Sequence, residues 1–193
     1  MDNCFIDITV EFLGVAFHNI LYYLSVYPNY IFETRRKYSV VVYRSIHLEV
    51  NEYIDLCLKS AANCLRNGEL QRIEFLITTS SYDALLKFVF DINKIDEYDQ
   101  TNDAYLVQAE QNMRGFCLYL TTLCDKFKGL PEDKSFMILL HTNESSAVAM
   151  TTNPNSEEFP FVETEENTQF DKIIPIRRFC VQNYNLEMFV EVK

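Results

Sequence analysis

Two neighbouring apolar runs, at residues 73–78 and 86–92, place the strongest constraint on what this chain can fold into. The second run alternates, so that its apolar side chains share one face while Lys87 and Asp91 lie on the other. The four residues between the runs, Ser-Ser-Tyr-Asp at 80–83, are typical of a turn. The pattern therefore predicts two strands joined by a turn, with an apolar face to bury.

Three further segments, at about residues 6–24, 49–67 and 102–126, have the apolar spacing of amphipathic helices. Pro28 ends the first helix, and Gly68 ends the second because glycine readily adopts the left-handed conformation that follows a helix. Residues 30–44, rich in Tyr, Val and Ile with a basic turn in the middle, predict an extended or hairpin stretch. The short apolar run at 136–141 predicts a buried central strand.

The last fifty residues differ from the rest, since they show short extended pieces and no convincing helical pattern. These pieces lie at 147–151, 159–162, 173–176 and 186–192, around an acidic stretch punctuated by proline. A strand-forming tail must pair with a sheet edge or leave its backbone groups unsatisfied. Such a tail can also open and pair again, which makes peptide capture physically natural. The predicted fold is α+β: three helices packed on a mainly antiparallel sheet.

The net charge of −11 argues against direct nucleic-acid binding, because a phosphate backbone is held by Lys and Arg. The basic cluster Arg35-Arg36-Lys37 is interpreted as a solvated turn. The first apolar stretch, residues 5–30, is amphipathic and contains Asp7, Glu11 and His18, which disfavours a signal peptide or a membrane span. We therefore expect an intracellular chain with reduced thiols, no membrane partner and no direct contact with nucleic acid.

Four of the six cysteines form two pairs, Cys57 with Cys64 and Cys117 with Cys124. The members of each pair are seven residues apart on a predicted helix, roughly 10 Å, too far for a disulfide or for two ligands of one zinc ion. They fall on apolar faces and are interpreted as core residues. We expect no metal site, no cofactor and no catalytic residue, since the usual enzyme motifs are missing. A thiol hydrolase pairing Cys57 or Cys117 with His141 is the alternative, disfavoured because burial raises a thiol pKa.

A resemblance to a known family spans nearly the whole chain. The segments that carry it are residues 11–13, 20–22, 26–28, 31–33, 35–38, 53–54, 87–90, 110–111, 141–142, 159–160, 174–175 and 190–191, with His47, Asn51, Arg114 and Phe116. In these segments the sequence resembles the HORMA family, and within it the non-catalytic accessory subunit of DNA polymerase zeta. The resemblance implies a single HORMA domain over residues 1–193, with a core at about 1–142 and a safety belt of C-terminal strands at about 143–193.

The same resemblance implies an adaptor, not an enzyme. In this family the belt wraps over a short partner peptide that adds to the sheet as a strand. The implied client is a proline-containing segment of the catalytic subunit of DNA polymerase zeta. A second surface of the belt would dock the C-terminal domain of a Y-family polymerase during DNA damage bypass. The expected location is the nucleus, and also the cytoplasm. The alternative is a spindle-checkpoint HORMA protein that binds checkpoint peptides or peptides of an anaphase-promoting-complex activator.

Carried over residue by residue, the resemblance assigns three sites. Tyr53 and Phe161 would contact the client peptide, although Tyr53 could instead be a core-edge residue and the branch usually has Trp where this chain has Phe161. Arg114 would lie at a homodimer or HORMA–HORMA dimer interface, or else be a solvent-facing arginine. The Y-family polymerase would contact the residues at three belt positions: Ile173, Glu187 and Phe189.

Overall fold

A computed structural model describes residues 3–95, 105–144, 161–162, 168–181 and 184–193 of the chain. Within these ranges the chain forms three long helices, a two-stranded sheet and a five-stranded sheet. In chain order the elements are α1 (Asn3–Tyr23), a short 3-10 turn (Asn29–Ile31), β1 (Phe32–Lys37), β2 (Val40–Ser45), α2 (Leu48–Asn67), β3 (Arg72–Thr79), β4 (Ala84–Lys94), α3 (Tyr105–Asp125), β5 (Lys134–His141), β6 (Lys172–Val181) and β7 (Tyr184–Val192).

The five-stranded sheet has the order β5–β3–β4–β7–β6, and every neighbouring pair is antiparallel. The helices cover its apolar face through aromatic contacts. Phe17 of α1 stacks on Phe75 of β3 with ring centroids 4.7 Å apart, and Phe116 of α3 lies 6.2 Å from Phe90 of β4. The predicted α+β class, with three helices on an antiparallel sheet, is confirmed.

Helix α1 is the centre of the core. By length and composition it is apolar enough to cross a membrane, but most of it is buried inside the protein. Phe5, Phe12 and Phe17 are all fully buried, and the helix contacts α2, α3 and β2. The apolar character of α1 is therefore accounted for by burial against other elements of the same chain.

The helix boundaries follow the sequence closely where a cap residue marks them. Helix α2 ends at Asn67, and Gly68 has the left-handed conformation (φ 72°) that the Asn-Gly pair predicts. The basic residues Arg35, Arg36 and Lys37, however, lie on strand β1 and not in a turn. The turn is at Tyr38 and Ser39, both at positive φ, which is the geometry of a tight two-residue hairpin connection.

Two expectations for the second half of the chain need correction or fall outside the described residues. Among the described strands β5 lies at the edge of the sheet, so the prediction of a buried central strand at 136–141 is wrong. The apolar run arises because its core-facing side packs on β3, where Phe136 stacks on Phe75 at 5.2 Å. The piece expected at 173–176 extends through residue 181 as β6, whereas Phe161 and Val162 are in no strand and the pieces at 147–151 and 159–160 lie outside the described residues.

Candidate peptide-binding edge

The outer edge of β5 presents alternate backbone groups away from the sheet. The carbonyl of His141 accepts a hydrogen bond from Gln71 at 3.2 Å on the β3 side, so the odd-numbered residues of β5 face inward. The amide of Ile138 instead donates outward, to the Tyr53 hydroxyl at 3.2 Å. The client edge is defined here as the outward backbone groups of the even-numbered residues of β5: Lys134, Phe136, Ile138 and Leu140. Among the described residues, no strand pairs with it.

Helix α2 positions Tyr53 beside this edge. Its ring meets Phe136 edge-on, with centroids 5.5 Å apart, and Tyr27 meets the same phenylalanine at 6.2 Å. Burial, with a further contribution from Cys57 one helical turn away, raises the pKa of Tyr53 above its usual value, so the hydroxyl stays protonated. A neutral hydroxyl both accepts and donates hydrogen bonds, which suits a side chain that contacts an exposed strand backbone.

The β6–β7 hairpin lies at the opposite edge of the sheet from β5, where β7 pairs with β4. Buried Leu186, Met188 and Val190 of β7 face the helices. Glu187 and Phe189 therefore face away from them, and Ile173, paired with Glu191, lies on that same outer face. The structure thus brings Ile173, Glu187 and Phe189 to one face of the hairpin. Their assignment to a Y-family polymerase stays a prediction.

Sequence reasoning missed an ionic network on the same face of the sheet. Buried Glu74 of β3 lies 3.4 Å from the ammonium of Lys87 and 3.1 Å from the imidazole of His141 at the end of β5. The Lys87 ammonium is also 2.9 Å from Glu191 of β7. Polar contacts of Glu74 and Lys87 thus connect the strand that carries the client edge with the hairpin, across β3 and β4.

A second part of this network stabilises the sheet beside the hairpin. The guanidinium of Arg72 donates two hydrogen bonds to the carboxylate of Asp91, and the one to Oδ2 is 3.0 Å long. That contact raises the pKa of Arg72, and the guanidinium also lies 6.0 Å from the ring centre of Phe189. The alternation at Lys87 and Asp91 was the available sequence signal, but it did not reveal which residues of β3 and β7 lie opposite.

Two predicted site residues lie away from these contacts. Phe161 is half-buried and outside the helices and strands. Arg114 is exposed on α3, next to Gly115, where an added Cβ would stand 2.6 Å from the guanidinium of Arg177 of β6. The hairpin therefore packs against α3 one residue away from Arg114. Neither the client role of Phe161 nor the dimer role of Arg114 is tested by this placement.

The thiols of the helices have the environment expected of core residues. Cys57, Cys64, Cys117 and Cys124 are buried, which confirms their interpretation as core residues. Burial raises the pKa of Cys57, Cys117 and Cys124 to about 12 in each case, so none is a thiolate near neutral pH. Within the described residues, no cluster of three His, Cys, Asp or Glu has metal-binding geometry.

Solved structures share this arrangement over nearly the full chain. A chain in the crystal structure of the mitotic checkpoint complex superposes with a TM-score of 0.84 at 18% identity, covering 99% of each chain. Caenorhabditis elegans HTP-2, in a structure bound to a HIM-3 closure motif, superposes with a TM-score of 0.70 at 14% identity, covering 95% of this chain and 88% of the other. The chain has the HORMA fold.

Sequence relatives are similar over most of the chain. Human mitotic spindle assembly checkpoint protein MAD2B is 29% identical over 188 residues, 96% of this chain and 89% of the relative. Drosophila melanogaster DNA polymerase zeta subunit 2 is 29% identical over 161 residues, 83% and 81% of the two chains. The DNA polymerase zeta processivity subunit of Schizosaccharomyces pombe is 24% identical over 200 residues, 96% and 92%. No family model matches the sequence.

Proposed function

We propose that this HORMA protein captures a short segment of the catalytic subunit of DNA polymerase zeta as an added strand on the client edge. Its C-terminal belt would hold that segment, and a Y-family polymerase would dock on the belt during DNA damage bypass. The observation that carries the proposal is the client edge itself, an apolar strand edge with which no strand pairs among the described residues, and which has Tyr53 beside it at Ile138. Relatives named as polymerase zeta subunits support the choice of client.

Strand addition supplies the physics of capture. Backbone hydrogen bonds along β5 give affinity for any extended segment, and the aromatic side chains beside it select among segments. HTP-2 in a structure bound to a closure motif supports a peptide-binding role for this fold. We infer an adaptor without catalysis, acting in the nucleus and also in the cytoplasm, that reaches DNA only through its partners. The raised thiol pKa values support the absence of thiol chemistry.

A spindle-checkpoint function is the second candidate. The name of the human relative and the superposition on a chain of the mitotic checkpoint complex favour it. In that case the client would be a checkpoint peptide or a peptide of an anaphase-promoting-complex activator. Isothermal calorimetry with synthetic peptides from both client classes distinguishes the two. The polymerase segment is expected to bind at least about tenfold more tightly, which corresponds to about 1.4 kcal/mol. A preference for the checkpoint peptides would instead establish the second function.

Two further surfaces belong to the proposal. The outer face of the β6–β7 hairpin would dock the Y-family polymerase through Ile173, whose side chain is 62% exposed, together with Glu187 and Phe189. Arg114 on α3 would contribute to dimerisation, since an exposed arginine packs its stem on a partner while its guanidinium finds an acceptor. Sedimentation of Arg114→Ala against the parent tests the dimer. A monomer is expected where the parent is dimeric, and identical mass distributions would make Arg114 a plain surface charge.

A further inference from the structure

A groove lies between the β1–β2 hairpin and the paired helices α1 and α2. Its volume is about 750 Å³, within the range of sites that enclose a small molecule or a short peptide. Val10, Val42 and Leu58 give it an apolar lining. The helices approach closely at Gly14, where an added Cβ would stand 3.2 Å from the side chain of Leu58. This basic groove, as it is called below, is thus a built feature of the helix packing.

The charge of the basic groove opposes that of the whole protein. Five cations line it against two carboxylates, although the chain carries a net charge of −11. The lining cations are Arg35, Arg36, Lys37, Arg44 and Lys59. A local surplus of positive charge in an acidic protein attracts an anionic partner that the rest of the surface repels.

Existing ion pairs occupy these cations unequally. Lys37 contacts Glu11 at 2.8 Å, whereas Arg44 lies 3.9 Å from Asp55. Arg35 is held by Glu33, on the strand that carries it. Lys59 forms no ion pair with any residue in the described parts of the chain. Arg36 pairs across the hairpin with exposed Val41, so its side chain lies on the opposite face from Val42. Arg44 and Lys59 are therefore the groups through which an anionic ligand would gain most.

The strand edge beside the groove is already closed. The amide of Tyr43 on β2 donates to Asn19 of α1 at 3.1 Å, and the amide of Ser45 donates to Nδ1 of His18 at 3.4 Å. A ligand would therefore not add to β2 as a strand at these residues. Recognition in the basic groove would rest on side chains, unlike capture at the client edge.

We propose that the basic groove binds an acidic segment of a partner protein, whose carboxylates face Arg44 and Lys59 while its apolar side chains rest on Val10, Val42 and Leu58. A protein segment fits better than nucleic acid for two reasons. Glu11 and Asp55 lie in the lining, where they repel a continuous phosphate backbone. The apolar part of the lining also has no counterpart on a sugar–phosphate chain. The site is independent of the client proposed above.

The probe is a fluorescein-labelled octapeptide of alternating leucine and glutamate, titrated by fluorescence anisotropy into the full chain. The parent should bind it, and binding should weaken as added salt screens the charges. The double variant Arg44→Glu/Lys59→Glu should weaken binding at least about tenfold, because attraction becomes repulsion at both sites. The matched control Lys126→Glu/Lys128→Glu changes the net charge equally at the end of α3, and its affinity should stay within about twofold.

Three further arms locate the binding and identify its chemistry. Amide chemical shifts of Gly14, Val42 and Lys59 should move on addition of the octapeptide, and a glutamine version of the octapeptide should not bind. If Arg44→Glu/Lys59→Glu unfolds, the neutral pair Arg44→Gln/Lys59→Gln replaces it, with a smaller loss expected. Any of four results would overturn the proposal. The parent does not bind the octapeptide, or the two double variants lose equal affinity. Alternatively, the chemical shift changes are confined to β5, or a single-stranded oligonucleotide of equal charge displaces the octapeptide.

Discussion

The two edges of the five-stranded sheet are built in opposite ways. Strand β6, at one edge, contains Pro175, a register shift after it and the charged pair Arg177 and Arg178. Strand β5, at the other edge, is an apolar run from Phe136 that keeps an unbroken register with β3. Proline, bulges and charges are the devices by which proteins keep an edge strand from pairing. The chain thus protects one edge and leaves the other fit to accept a strand.

The outer edge of β2, in the two-stranded sheet, is closed by side chains of the same protein. On β2, the amides of Tyr43 and Ser45 are taken by Asn19 and His18 of α1, both buried. At β5 one tyrosine meets one outward amide, that of Ile138. The difference between these edges is the basis for placing the client at β5, and the following experiments test it from the largest expected effect to the smallest.

Proline at the client edge should have the largest effect on capture. Leu140→Pro removes an outward N–H from β5 and restricts the backbone, while the inward hydrogen bonds to β3 come from the odd-numbered residues. We expect loss of client binding by about 3 kcal/mol, the upper part of the range for a buried carbonyl left without its hydrogen-bond donor. Leu140→Ala keeps the N–H and is the matched control. Calorimetry on both variants decides, and equal affinities would show that the backbone at residue 140 does not pair with the client.

The closed edge of β2 should make stability depend on pH. Burial, with help from the charge of Arg44, lowers the pKa of His18 to about 4. The unfolded chain takes up a proton at this residue near pH 6.5, whereas the folded chain does so only near pH 4, so folding free energy is lost as the pH falls through that window. The loss is about 3 kcal/mol. Denaturant unfolding between pH 7 and pH 4 should show a shallower dependence in His18→Asn, and parallel curves would contradict the assignment.

Two substitutions of Tyr53 distinguish the contribution of its ring to client binding from that of its hydroxyl. Tyr53→Ala removes the ring that packs on Phe136 and should weaken capture by about 2 kcal/mol, as for other aromatic interface residues. Tyr53→Phe keeps the ring and loses the hydrogen bond with Ile138, so a loss of about 1 kcal/mol is expected. Phe161→Ala is predicted to resemble Tyr53→Ala. Unchanged affinity in all three variants would remove the site assignment.

The edge formed by β6 should allow weak self-association when Pro175 is replaced. Pro175→Val restores an N–H to β6 and a residue that favours strands. We expect weak self-association, detected by sedimentation at high protein concentration, with an effect below about 1 kcal/mol per contact. Lys172→Val raises apolar content at the start of the same strand without adding an N–H and serves as the control. If only Lys172→Val associates, proline is not what protects this edge.

Local patterns predicted the elements, because helical and strand periodicity are properties of neighbouring residues. The Asn-Gly pair located the end of α2, and alternation located β4. The edge position of β5 could not be read in this way, since the strand order is set by pairing between distant segments. The contacts of Glu74 with Lys87 and His141 depend on the same register and were missed for the same reason. The predicted role of Tyr53 came from the family resemblance, not from its place in the pattern of α2.

Amide hydrogen exchange along β5 and β6 tests the central claim most directly. If the client adds as a strand at β5, the outward amides of Phe136 and Leu140 should exchange more slowly once the polymerase segment is bound. The amides of β6, including those of Arg177 and Arg178, should keep their exchange rates. Slower exchange at β6 with no change at Phe136 and Leu140 would contradict the account and place the client at the opposite edge of the sheet.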